Sequence, residues 1–159
     1  MLAETAALDD FDRAILRELQ RDGRAPVAEI AERVGLSASP VARRLRMLEA
    51  SGVIAGYAAQ VDEGALGRGF SVFVSVKLDR QVDDALARFE AAVAAFPEVV
   101  DCWLMTGNRD YLMRIATAGL PEFEAFLVGR LTKVPGVASI ESSIPLRRVK
   151  GGATRPAGR

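Results

Sequence analysis

Residues 35–54, GLSASPVARRLRMLEASGVI, combine the apolar spacing of a half-buried helix with three arginines. Gly35 is the residue type that ends a preceding helix in the left-handed conformation, and Ser37 or Ser39 can cap the next helix. Pro40 is tolerated in the first turn of a helix. The stretch therefore predicts a tight turn at Gly35, followed by a helix that covers most of the remaining residues of the stretch.

Two shorter helical patterns precede this stretch. Apolar residues three or four apart predict a first helix, whose opening turn carries Asp9, Asp10 and Asp12, where the helix dipole favours anions. A second helix begins near Pro26 and ends at the glycine turn. Three helices with a tight turn between the second and third predict a helix-turn-helix. The apolar positions of the first two helices are Leu8, Phe11, Ile15, Leu16, Leu19, Val27, Ile30, Ala31 and Val34.

A helical wheel divides the third helix into two faces. Val41, Leu45 and Leu48 point towards a core, whereas Arg43 and Arg46 lie on the opposite side. A recognition helix needs hydrogen-bond donors for base edges and cations for phosphates, so this face is expected to enter the major groove of DNA. The residues expected to contact DNA are Ser37, Ser39, Pro40, Arg43, Arg44, Arg46 and Met47.

Arg44 lies at the border of the two faces, and two interpretations of it stay open. Its guanidinium can reach a DNA phosphate, or it can pair with an acid of the first helix. Residues 1–60 carry 8 basic and 9 acidic side chains, so a positive potential is confined to the third helix. Such confinement predicts modest affinity for each copy and a dependence of DNA binding on dimerisation.

Beyond the helix-turn-helix the apolar period changes from 3.6 to 2. Residues 53–61 are expected to form an extended linking strand, and the glycine-rich residues 62–69 a linker. Residues 70–150 then predict the order βαββαβ, a ferredoxin-like antiparallel sheet with two helices on one face. The fold class is therefore α+β, with a helix-turn-helix domain in residues 1–61. The tail, residues 151–159, has no apolar period and is expected to be disordered.

One face of the predicted sheet is not covered by any predicted helix. Phe73, Trp103 and Met105 fall off the core-facing alternation, so a homodimer that packs sheet against sheet is expected. Two amphipathic helices cover the other face of the sheet. Their inward residues are predicted to be Val82, Leu86, Phe89, Val93 and Phe96 in one helix, and Phe123, Phe126, Leu127 and Leu131 in the other.

The composition excludes several classes of protein. With 159 residues, 50% of them hydrophobic, the chain can bury one or two cores, and its 21 basic and 21 acidic residues leave no net charge. It has no histidine and one cysteine, so it lacks the residues of histidine-based catalytic triads and of zinc or iron–sulfur sites. No catalytic residue, metal or cofactor is therefore expected.

The single cysteine and the lengths of the apolar runs are the features from which we predict the cellular location. Cys102 lies in an apolar stretch and is expected to be a buried, unreactive thiol. No apolar run reaches the length of a membrane span, and the first residues lack the pattern of a secretory signal. A cytoplasmic location without membrane contact is expected.

The patterns quoted above resemble the Lrp/AsnC family of transcriptional regulators, also called feast/famine regulators. The likeness extends over roughly residues 8–150 and includes EIAERVGLSASPVARRLRMLEASGVIAGY at 29–57 and PEVVDCWLMTGNRDYLMRI at 97–115. It implies a winged-type helix-turn-helix joined to a ferredoxin-like domain that dimerises through its sheets and often forms octamers, each a tetramer of dimers. It also implies a regulator, not an enzyme, that binds double-stranded operator DNA and responds to a small effector, usually an amino acid.

The resemblance places the effector in clefts between dimers, near a turn that carries a glycine and an aspartate, TGNRDY at 106–111 in this chain. The backbone N–H groups of such a turn can bind a carboxylate, and Asp110 can bind an ammonium. Without the resemblance, these residue types are typical of any hairpin turn, with Asp110 as a local cap. The effector residues implied by the resemblance are Thr106, Gly107, Asn108, Asp110 and Tyr111.

Two alternative functions come from other classes. Tetrapyrrole (sirohaem-type) decarboxylases resemble these regulators in both domains, but their sites are understood to hold the substrate with histidines, which this chain lacks. A ligand-binding module without a DNA role is the third hypothesis, and the complete helix-turn-helix argues against it.

Overall fold

The computed structural model describes residues 8–80 and 82–149, which form two compact units that divide between Gln60 and Val61. The predicted disordered tail, residues 151–159, lies outside the described residues. In the described part of the chain, no helix has the length and apolar character needed to cross a membrane.

Three helices form the N-terminal unit, as their apolar spacing predicts. All three contribute buried residues to one core, so each buries its apolar stripe against the other two. Gly35 ends the second helix with φ 71°, a left-handed conformation that glycine adopts without steric cost. The helices are α1 (Asp10–Arg21), α2 (Val27–Val34) and α3 (Ala38–Ala50), and the core residues are Ile15, Ile30, Ala31, Val41 and Leu48.

The first turn of α1 is fixed by a reciprocal pair of aspartates. The Asp12 backbone N–H donates to the Asp9 carboxylate (2.8 Å), and the Asp9 backbone N–H donates to the Asp12 carboxylate (3.2 Å). This capping box satisfies donors that have no partner within the helix itself. Asp9 and Asp12 therefore have a structural role in addition to the favourable interaction with the helix dipole.

The segment that follows α3 forms no strand within residues 53–61. The Ile54 backbone N–H donates to the Leu48 carbonyl (3.0 Å), and the Tyr57 hydroxyl donates to the Glu49 carboxylate (2.9 Å). These contacts hold the segment against α3, whereas a strand needs a neighbouring strand to complete its hydrogen bonds. The described chain by itself forms no strand in residues 8–69, and the linking strand stays a prediction.

The C-terminal unit has the predicted βαββαβ order. Its antiparallel sheet has the strand order β2-β3-β1-β4, which is ferredoxin-like, and its core lies between the sheet and two helices. A single 3₁₀ turn at Leu131–Lys133 precedes the last strand. The elements are β1 (Phe70–Leu78), α4 (Asp83–Ala94), β2 (Val99–Leu104), β3 (Tyr111–Thr117), α5 (Leu120–Gly129) and β4 (Val137–Ser143).

The register of the central strands places their large apolar residues on the helix-covered face. Val74 is paired with Met113 and Val76 with Tyr111, and all four side chains are buried. The inward stripe of α4 differs from the prediction at Val82. This residue is the extended N-cap of the helix and is 52% exposed, because the helical turns begin only at the next residue.

Cys102 is exposed, so the prediction of a buried thiol is wrong. It lies on β2, which is an edge strand with a neighbour on one side only. The thiol is nevertheless partly desolvated, and this effect, with the Glu90 carboxylate adding to it, raises the pKa of Cys102 to about 11. The thiol is therefore protonated near neutral pH.

Candidate DNA-binding and effector sites

The outward face of α3 brings together most of the predicted DNA-contacting residues. Ser37, Ser39, Arg43, Arg46 and Met47 are all exposed, and the first turn of the helix contains no acid. Ser37 is the N-cap residue, but its hydroxyl makes no capping hydrogen bond. Of the predicted set, the half-buried residues are Pro40 and Arg44.

Arg43 and Arg46 form no ion pair with any residue in the described ranges 8–80 and 82–149. The nearest polar contact of Arg43 is a weak one to the sulfur of Met47 (3.9 Å). Met47 is 59% exposed and adds an apolar surface to the two guanidinium groups. The face therefore offers unpaired cations and hydroxyl donors, a combination that suits phosphates and base edges.

Arg44 faces α1. Its Nη1 atom lies 2.7 Å from Asp9 Oδ2 and 2.8 Å from Asp12 Oδ1, and its guanidinium lies 5.6 Å from the centre of the Phe11 ring. The hydrogen bonds to the two aspartates raise the pKa of Arg44 further above its usual value. Of the two interpretations left open by the sequence, the structure forms the ion pair. A contact of Arg44 with DNA stays a prediction.

The predicted effector residues separate into two groups, of which the first is an exposed bend. Thr106, Gly107 and Asn108 project between β2 and β3, and Gly107 has φ 111°, which disfavours any residue with a Cβ. Their backbone N–H groups donate no hydrogen bond to another described residue. The bend therefore presents consecutive unpaired donors to solvent.

Asp110 and Tyr111 form the second group and are buried within the unit. Asp110 is 3% exposed, and its carboxylate accepts a hydrogen bond from the Leu78 backbone N–H (2.7 Å). Tyr111 is 1% exposed and donates its hydroxyl to Glu90 (2.8 Å), with its ring centre 4.5 Å from that of Phe89. Asp110 thus binds β1, and its expected role as the group that binds an effector ammonium stays a prediction.

The outer face of the sheet has an apolar part and a polar part. Trp103 on β2 lies opposite Leu112 on β3, and the Trp103 side chain is 45% exposed. Phe73 of β1 lies on the same face of the sheet and is half-buried. Met105 directly follows β2, and its side chain is 42% exposed. At the other edge, β4 presents exposed polar residues to this face, namely Ser139, Glu141 and Ser143.

Both halves of the sequence match known domains. Residues 8–49 match the AsnC-type helix-turn-helix domain, and residues 71–154 match the Lrp/AsnC ligand binding domain. The chain belongs to the Lrp/AsnC family. Like the other members it is a transcriptional regulator, in which a DNA-binding helix-turn-helix is joined to a ligand-binding domain.

Named members of the Lrp/AsnC family align with this chain over nearly its whole length. It is 46% identical over 144 residues to the Bkd operon transcriptional regulator of Pseudomonas aeruginosa, covering 91% of this chain and 94% of that protein. It is 41% identical over 143 residues to the leucine-responsive regulatory protein of Rhizobium meliloti, covering 90% and 92% of the two chains. A transcriptional regulator of Neisseria meningitidis, solved in complex with L-Met, superposes with a TM-score of 0.89 at 36% identity, covering 94% and 97%.

Sequence reasoning missed two ion-pair clusters of this Lrp/AsnC chain. Arg109 Nη2 lies 2.6 Å from Glu141 Oε2, and Arg109 Nη1 donates to the Ser139 hydroxyl (2.8 Å). Arg114 pairs with Asp101 (2.9 Å) and with Glu63 (2.8 Å), which holds the 62–69 segment to the outer face of the sheet. The partners are 13 to 51 residues apart in sequence, so no local pattern could indicate them.

Proposed function

We propose that this regulator binds operator DNA through the outward face of α3, and that an amino-acid effector alters this binding. The observation that supports the DNA half is the exposure of Arg43 and Arg46, which have no ion-pair partner in the described chain. Arg44, by contrast, is held by α1. The proposed contact set is therefore Ser37, Ser39, Arg43, Arg46 and Met47.

The effector half is supported by the exposed bend and by the relatives. The bend at 106–108 offers unpaired backbone donors, which suit a carboxylate. One relative is named a leucine-responsive regulatory protein, and one structural neighbour was solved in complex with L-Met. These names agree on the chemical class and differ on the amino acid, so the proposal is made for the class.

A mobility-shift assay tests the DNA half. The probes are the promoter regions that flank the gene, and the variants are Arg43→Ala and Arg46→Ala, with Arg88→Ala as a control because Arg88 is exposed on α4. Each α3 variant is expected to weaken binding, and loss of a phosphate contact lowers the slope of log affinity against log salt by about 0.9. Unchanged affinity in both variants would contradict the assignment of α3.

We also propose that two copies associate through the apolar part of the outer face, and that four such dimers form an octamer. Exposed aromatic and aliphatic side chains are expected to be covered by a second sheet. Sedimentation measures this association directly. Trp103→Lys is expected to shift the protein towards the monomer of 17.1 kDa, whereas Val82→Lys, at another exposed apolar position, is not. A wild-type protein that sediments as a monomer would contradict the proposal.

The proposal assigns no catalytic residue, metal or cofactor, and it places the protein in the cytoplasm, where its DNA would be. The family consists of transcriptional regulators, and the sequence has none of the histidines on which the decarboxylase alternative depends. Thermal-shift measurements with each of the twenty amino acids test the effector half, because a ligand that binds the folded state raises the Tm. A flat result for all twenty would contradict it.

A further inference from the structure

The glycine-rich residues 62–69, expected from the sequence to be a linker, form a compact turn that belongs to the C-terminal unit. The Arg68 backbone N–H donates to the Glu63 carbonyl (2.7 Å), which closes the turn. Gly67 has φ 68°, a left-handed conformation that glycine adopts without steric cost. We call residues 62–69 the clasp.

Two side-chain contacts fasten the clasp to the rest of the C-terminal unit. Both carboxylate oxygens of Glu63 accept from Nη1 of Arg114, at 2.8 and 2.9 Å. Nη1 of Arg68 donates to the Pro97 carbonyl at 3.3 Å. The first contact joins two charges at short distance and is therefore the stronger of the two. The clasp thus depends mainly on the ion pair of Glu63 and Arg114.

Arg114 is held in place from the side of the sheet. It lies on β3, opposite Phe73 of β1 and Asp101 of β2, and its Nε donates to the Asp101 carboxylate (2.9 Å). The Arg114 side chain is 15% exposed, whereas the Glu63 side chain is 39% exposed. The clasp also contains three glycines, which give its backbone conformational freedom. When the ion pair breaks, the clasp is therefore the partner that moves away.

The clasp determines how much free chain joins the two units. On the N-terminal side, the segment after α3 is held as far as Tyr57, whose hydroxyl donates to Glu49 (2.9 Å). With the clasp fastened, the tether between the held segments consists of residues 58–61. With the clasp released, it consists of residues 58–69 and is roughly threefold longer.

We propose that Glu63 and Arg114 are positioning residues for DNA binding, which act by setting the length of the tether to the DNA-binding unit. The inference rests on the proposed binding of operator DNA by the α3 helices of paired copies. When one α3 is bound, the effective concentration of the other falls with about the 3/2 power of tether length. A threefold longer tether therefore lowers the affinity for two half-sites by up to about fivefold and leaves the affinity for a single half-site unchanged.

Limited proteolysis of the full-length protein tests the fastening. Trypsin cleaves after Arg68 only when the clasp opens, and mass spectrometry identifies this cut. Cleavage in the fast-opening regime follows the population of the open form, so Glu63→Gln and Arg114→Gln are expected to be cut about three- to tenfold faster than the wild type. Asp101→Asn is the matched control, because it removes the other acid partner of Arg114 but leaves the clasp contact, and it should be cut at the wild-type rate.

Mobility-shift measurements test the consequence for DNA. The probes are a promoter fragment that the wild type binds through two half-sites and a shortened fragment that keeps one of them. Glu63→Gln is expected to lose up to about fivefold in affinity for the first fragment and nothing for the second. The variant is also expected to sediment as the wild type does, so that the loss is not a loss of dimers. A general defect in the fold would weaken binding to both fragments alike.

The outcomes separate this inference from the proposed function. If Glu63→Gln is cut after Arg68 at the wild-type rate, the ion pair does not hold the clasp, and the inference fails while the proposed function stands. Faster cleavage with equal changes in affinity for the two fragments, or with none, also overturns it. If the wild type binds no promoter fragment, the proposed DNA function itself fails and the role of the clasp in DNA binding fails with it.

Discussion

Nη1 of Arg44 lies 2.8 Å from Oδ1 of Asp12, and this ion pair joins α3 to the first turn of α1. The Arg44 side chain is 22% exposed and the Asp12 side chain is 17% exposed. Arg44 therefore holds α3 in place, whereas Arg43 and Arg46 form no ion pair in the described chain.

A double-mutant cycle measures this interaction. Arg44→Ala and Asp12→Ala are each expected to lower the Tm, and the double variant is expected to lose less than the sum of the two, because both changes remove the same contact. Arg43→Ala is the matched control and should leave the Tm unchanged, since Arg43 has no ion pair in the described chain. Strictly additive losses would show that Arg44 and Asp12 do not interact in solution.

The capping box predicts a sensitivity of the N-terminal unit to acid. The Asp12 backbone N–H, with a smaller contribution from Arg44, holds the pKa of Asp9 below its usual value of 3.8. Because the pKa is depressed in the folded state, the stabilisation is complete above the unfolded pKa and is lost as the pH falls through the folded pKa. Urea unfolding between about pH 5 and pH 2 is expected to show a smaller loss of stability in Asp9→Asn than in the wild type. Parallel pH profiles would rule out this role for Asp9.

Asp110→Ala is expected to destabilise the C-terminal unit. The change leaves the Leu78 backbone N–H, in a buried strand residue, without its acceptor, and an unsatisfied buried donor costs about 1–3 kcal/mol. Glu124→Ala removes an exposed acid on α5 and should leave the free energy of unfolding unchanged. Denaturant titration compares the two. An Asp110→Ala variant of wild-type stability that has lost effector binding would support the role expected from the sequence.

The Cys102 thiol is expected to react slowly although it is exposed. Its pKa of about 11 leaves little thiolate near pH 8, so alkylation by iodoacetamide should be roughly tenfold to a hundredfold slower than for an ordinary cysteine. The same protein unfolded in urea provides the control, since unfolding removes the desolvation and the influence of Glu90. Equal rates in the folded and unfolded protein would contradict the raised pKa.

The local parts of the fold could be predicted from the sequence. The helices of the N-terminal unit follow from the spacing of Ile15, Ile30 and Val41, and the turn before α3 follows from Gly35, whose left-handed φ is a property of one residue type. The core face of β1 follows in the same way from simple alternation. Each of these features depends on residues that are close in sequence.

The features that depend on distant partners could not be predicted. Arg109 and Glu141 are 32 residues apart, and Arg114 and Glu63 are 51 apart, so their pairing is a product of strand register. The exposure of Cys102 depends on the edge position of β2, which the strand order decides. The burial of Asp110 follows likewise from its contact with the end of β1, which the residue type alone did not indicate.

Trp103, the single tryptophan of the chain, lies 45% exposed on the outer face. Indole emission moves to shorter wavelength when water around the ring is replaced by protein. The protein therefore carries a native fluorophore on the surface proposed for self-association. The effect of dilution or of an added amino acid on self-association can be followed by the emission wavelength of Trp103 alone. Assembly in this regulator becomes an optical signal that requires no attached dye.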